Sequence, residues 1–143
     1  MKFRISNNWP IVKIITKRQA LKMMIALLAL VIIFHLAIIT QLIPYTIVWA
    51  GRLKTLEEMY TLEAVSISVN IFLIAVLVLK GDYVKHRISD KALNLILWLF
   101  VALFALNTIG NLMAESLFEK LVFTPLTFLS AILIWAILRK KKE

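Results

Sequence analysis

Four apolar stretches, each of the length that crosses a bilayer, make up most of this 143-residue chain. They run about Met23–Ile43, Met59–Leu79, Ala92–Met113 and Leu121–Leu138. A helix rises ~1.5 Å per residue, so roughly 20 apolar residues match a hydrocarbon core of roughly 30 Å. No water in that core satisfies an exposed backbone N–H or C=O, so stretches of this length bond internally, as helices. The composition agrees: the chain is 62% hydrophobic with a mean hydropathy of +0.89, against roughly 45–50% apolar residues in water-soluble domains. A soluble fold of this length has too little interior to hide so much apolar surface. The expected fold class is therefore an all-α membrane protein, a four-helix transmembrane bundle.

The charges give the orientation. The amino-terminal segment, the second connection and the carboxy-terminal tail hold six, four and four Lys/Arg, which is 14 of the 17. The first and third connections hold only Arg52, Lys54 and Lys120. Short loops rich in Lys and Arg stay on the cytoplasmic side, so both termini are expected there, in a plasma membrane of the bacterial inner type. The net charge of +9 then belongs to an anionic cytoplasmic leaflet, and nucleic acid is not needed to account for it. The absence of cysteine excludes disulfides and thiolate metal sites. With His35 and His86 as the only histidines, neither a metal nor a cofactor is expected.

Three regions follow. Residues 1–22 form a basic segment in which Trp9 and several isoleucines suit an interfacial anchor; the alternative, a cleavable signal peptide, conflicts with an apolar run longer than ~7–15 residues. Residues 23–138 hold the four spans, and 139–143 form a basic tail. Pro44 ends the first span, and Tyr45–Glu58 has the apolar spacing of a short helix lying at the interface. Ser89 or Asp90 suits the N-cap of the third span, and Thr124-Pro125 sits where a helix start tolerates proline. Trp49, Trp98 and Trp135 read, like Trp9, as belt anchors at headgroup depth.

A few polar residues break the apolar pattern. Glu63, Ser66 and Asn70 share one helical face, and Asn107 and Asn111 lie one turn apart on span three beside Gly110. His35 and Gln41 are in span one. An ionisable residue in a span is costly and by default faces a protein interior or a water-filled cavity. The expected arrangement is one pocket in the outer half of the bundle. Glu63, Asn70, Asn107, Asn111, Gln41, His35 and Ser66 would line it, with Arg52 and Glu115 at the rim. Each has a structural alternative: Glu63 as a headgroup-solvated residue paired with Arg52, the asparagines as interhelical hydrogen bonds, and Gly110 as a close helix contact.

Such a pocket fits a lipid, a small apolar ligand or a membrane partner, including a second copy of the chain, with no catalytic residue assigned. Two alternatives use Glu63. In size and span number the chain resembles small multidrug exporters, which implies proton-coupled transport. Their essential glutamate lies in the first span, which here has none. The run from Leu62-Glu63 to Lys80-Gly81, with a span-one histidine before it, resembles the emopamil-binding-protein and sigma-2-receptor group. That resemblance implies sterol-like ligands, with Glu63 at the carried-over position. For an intramembrane isomerase, His35 and Glu63 would act as the acid/base pair. The pieces Ile43-Pro44-Tyr45, Trp49-Ala50-Gly51-Arg52-Leu53, Glu57-Glu58-Met59 and Asn107-Thr108-Ile109-Gly110-Asn111 are similar to those of small uncharacterised four-span bacterial membrane proteins. No activity follows from that likeness.

Overall fold

The computed structural model describes residues 15–139. These residues are helical with no strand among them, in the order α1 (Lys17–Ile39), α2 (Leu56–Lys80), α3 (Asp90–Leu112) and α4 (Thr124–Leu138). The π-helical turn Glu119–Phe123 leads into α4. Four helices are long and apolar enough to cross a membrane, which makes this a multi-pass membrane protein. The interfacial reading of the basic segment, Trp9 included, concerns residues outside those described.

α1 begins six residues earlier than hydropathy places the first span, at Lys17. Thr16 accepts from the Gln19 N–H while Gln19 Oε1 accepts from the Thr16 N–H, a reciprocal cap that satisfies two otherwise orphaned donors. Lys17, Arg18 and Lys22 look interfacial in sequence, yet they form the first turns of the helix. The other end shifts with it. α1 stops at Ile39 rather than at Ile43, and Gln41 turns left-handed at φ 59° before Pro44. α2 opens on a second reciprocal cap, Thr55 with Glu58, and Glu57 and Glu58 complement the positive end of the helix dipole. Ser89, as expected, caps α3.

α3 and α4 share the largest interface, α1 lies against both α2 and α4, and α2 and α3 meet least of the four adjacent pairs. Ala20, Met24, Leu28, Leu73, Leu77, Leu93, Leu97, Leu133, Ile134 and Ile137 form a single buried aliphatic cluster. It draws on all four helices at the end where α1 begins and α4 finishes, called here the terminal end. There Lys80 Nζ, itself buried, donates to Asp90 Oδ1 at 2.6 Å and ties α2 to α3. The opposite, loop-rich end carries the long 40–55 connection. That connection does not form the expected interfacial helix. It makes two single 3-10 turns, Tyr45–Ile47 and Trp49–Gly51, and seats Val48 and Leu53 in a second buried cluster with Ile38 and Met59.

The π turn has a chemical cause. Pro125 has no N–H for the Leu121 carbonyl, and its ring crowds the turn before it. The chain widens there, and the Thr124 N–H bonds the Glu119 carbonyl five residues back.

Candidate functional site

Glu63 lies two turns into α2 and is completely buried. Its Oε2 is 2.5 Å from His35 Nδ1, and its Oε1 accepts from Trp49 Nε1 at 2.8 Å. Because α1 ends at Ile39, His35 sits about one turn from the loop-rich end, level with Glu63, and not deeper as a first span ending at Ile43 would place it. The carboxylate thus has a partner on each oxygen, drawn from α1 and from the connection. Burying it without them would cost several kcal/mol. With Nδ1 engaged, the hydrogen-bonding capacity left on the imidazole is at Nε2. Arg52 is not the partner of Glu63.

Trp49 therefore makes a bond that the belt reading of it does not anticipate. Its indole N–H serves a buried carboxylate, and its backbone is left-handed at φ 56°, followed by Ala50 at 56° and Gly51 at 67°. Glycine suits that region, whereas tryptophan and alanine enter it at a cost. The Ala50 N–H points at both oxygens of Glu119, each 2.9 Å away. Glu119 is only 5% exposed and belongs to the π turn. Two buried carboxylates thus hold the three-residue tip of the connection.

Between α2 and α3 at this end lies a groove of about 1050 Å³. Glu57, Glu58, Thr61 and Leu62 form one wall and Asn107, Gly110 and Asn111 the other; Trp49, Ala50, Arg52, Leu53 and Glu119 close its end. Arg52 and Glu115 also border a smaller recess of about 550 Å³ beside the tip. Gly110 is not a close helix contact: a β-carbon built on it would meet nothing within 4 Å. It leaves the groove wide instead.

The single pocket expected from sequence is thus divided. Glu63 and His35 meet each other but do not line the groove, while Asn107, Asn111, Arg52 and Glu119 do. Asn70 donates to the Ser66 carbonyl within its own helix, at 2.7 Å, and neither Asn70 nor Ser66 lines the groove. Gln41 is exposed and reaches only the Tyr60 hydroxyl, at 3.5 Å. Asn111 does join α3 to α4 through Thr127 Oγ1 at 3.4 Å, and Thr108 Oγ1 makes the shorter link to the same oxygen at 2.9 Å.

Glu119, Trp49 and Thr127 are the residues that sequence reasoning does not assign. An acidic residue five positions before a Thr-Pro pair hints at a strained turn, but its bond to Ala50, 69 residues away, leaves no local trace. Among the described residues no His/Asp/Glu group is arranged to hold a metal ion. Comparison of the chain with protein-family models, curated proteins and solved structures finds no match.

Proposed function

We propose that this chain sits in a bacterial plasma membrane with both termini cytoplasmic and holds an amphipathic membrane molecule, a lipid or a small apolar ligand with a polar head. The observation that carries this reading is the α2–α3 groove. At about 1050 Å³ it is at the upper end of the ~300–1,000 Å³ typical of ligand sites. Leu53, Leu62 and Ala114 offer it apolar wall, and Arg52, Glu57, Asn107 and Asn111 offer polar groups. The placement of 14 of the 17 Lys/Arg supports the orientation and puts the groove on the non-cytoplasmic side.

Gly110→Trp tests the reading, since the indole has open space to enter and no core contact to break. The purified wild-type protein is expected to retain a lipid or other amphiphile in mass spectrometry. The variant is expected to fold equally well and to lose most of it. Equal retention in both proteins would end the proposal.

A second reading is favoured by the His35–Glu63 contact. A carboxylate on Nδ1 orients an imidazole so that Nε2 is available for proton transfer, and the resemblance to the emopamil-binding group implies a sterol-like ligand for such a pair. On this reading Glu63→Gln abolishes double-bond isomerisation of a sterol-like substrate while groove occupancy persists. Conversion unchanged by the substitution would remove it. Proton-coupled transport through Glu63 has less support, because that carboxylate is sealed from the groove by its own partners.

A further inference from the structure

We propose that residues 49–51 form a gate between the groove and the His35–Glu63 pair, kept shut by the carboxylates of Glu63 and Glu119. The proposal rests on the groove being a ligand site. Trp49 belongs to both places: its side chain lines the groove and its indole N–H bonds Glu63. With the tip down, an occupant of the groove meets Trp49, and Glu63, which has no exposed surface, lies behind it out of reach. With the tip lifted, Glu63 loses the indole, and the groove continues to His35.

Three features make this segment a gate in place of a fixed wall. Its closed shape is imposed from outside, because Trp49 and Ala50 hold left-handed backbone angles that neither residue favours unaided. Two short-range backbone bonds, Gly51 N–H to the Val48 carbonyl and Arg52 N–H to the Trp49 carbonyl, shape the turn, and the anchors that tie it to the bundle are few: the indole bond to Glu63 and the Ala50 N–H on the two Glu119 oxygens. The flanks of the tip rest on one small cluster, Val48 on one side and Leu53 on the other being buried with Ile38 and Met59. Released from its anchors, the tip would swing and draw those flanks off the cluster, which opens Met59 to water. Its anchors also come from separate elements, α2 and the π turn before α4. A ligand that moves α2 against α4 therefore pulls on both at once.

The absence of cysteine provides a direct test on the full chain in proteoliposomes. Met59→Cys puts the protein's sole thiol among the residues that seat the flanks, at a position with no solvent exposure. Leu97→Cys puts a control thiol, equally buried, in the aliphatic cluster. A water-soluble maleimide should modify both slowly. Adding Trp49→Phe, which keeps the ring and deletes the donor, should speed modification of the Met59→Cys thiol by on the order of tenfold, the worth of a hydrogen bond to a charged group. Glu119→Gln, which keeps an acceptor and loses the charge, should speed it several-fold.

The Leu97→Cys thiol should stay slow in both backgrounds. Unchanged modification of the Met59→Cys thiol would overturn the gate, and so would parallel acceleration of both thiols, which would mean a loosened bundle. Gly110→Trp separates the two proposals. Retained amphiphile in that variant sinks the groove reading whatever the thiols do, whereas lost amphiphile with unmoved thiols sinks the gate alone.

Discussion

The two ends of the bundle are built on different physics. At the terminal end, Leu73, Leu77, Leu97, Leu133 and Ile134 fill the space between helices, and the one polar link described there, Lys80 with Asp90, lies at the helix ends beside them. Lipid tails are as apolar as leucine, so such packing gains little from leaving lipid and relies on close dispersion contacts. At the loop-rich end a small apolar cluster is joined by Glu63, His35, Trp49, Glu119 and Thr127. There each bond joins groups far apart in sequence, and a missing partner strands a buried polar atom. Many sequences could meet the demands of the aliphatic end, and few could meet those of the polar end. The difference separates what makes the chain a bundle from what makes it this bundle.

The contrast can be broken most sharply at His35. His35→Ala leaves the Glu63 carboxylate buried with one partner gone, and the expected loss is about 3–5 kcal/mol, read from unfolding in mixed detergent micelles. Leu97→Ala at the aliphatic end should cost less, about 2 kcal/mol, near the bottom of the soluble-protein range because no transfer from water is at stake. If Leu97→Ala proves the more damaging of the two, the contrast between the ends is wrong. Thr127→Val removes the shared oxygen between α3 and α4 and should cost about 0.6–2 kcal/mol, measured the same way. Asn70→Leu is the sharpest negative case. Its only hydrogen bond is to its own helix at Ser66, so stability should stay within about 0.5 kcal/mol and amphiphile retention should not change.

How much of this was legible in the sequence follows the same division. Bilayer-length apolar runs specify four helices whatever their order of packing, so the all-helical, four-span architecture could be read directly. Helix limits were less legible, because hydropathy treats Lys17, Arg18 and Lys22 as interface although the Thr16–Gln19 cap starts the helix before them. The matching offset at the other end, where α1 stops at Ile39 about one turn short of Ile43, carries His35 to the level of Glu63, which explains why the pair is a contact and not two points at different depths. The candidate site was legible in its inventory and not in its grouping. Glu63, His35, Asn107 and Asn111 were all marked as costly in lipid, but which of them meet depends on the 40–55 connection. Its left-handed residues Trp49 and Ala50 carry no sequence signature, since glycine or asparagine would announce such a turn and neither is at those positions.

The π turn at Glu119–Phe123 also sets the rotational register between the clasp and the span. A π turn holds one residue more than the α-helical turn it replaces. Each residue rotates the side-chain direction by about 100°. Deleting a single residue between Lys120 and Phe123 would turn Glu119 by about 100° relative to α4 and away from Ala50, with α4 itself left intact. The clasp on the tip thus depends on the register of this one turn, whereas the span that follows does not.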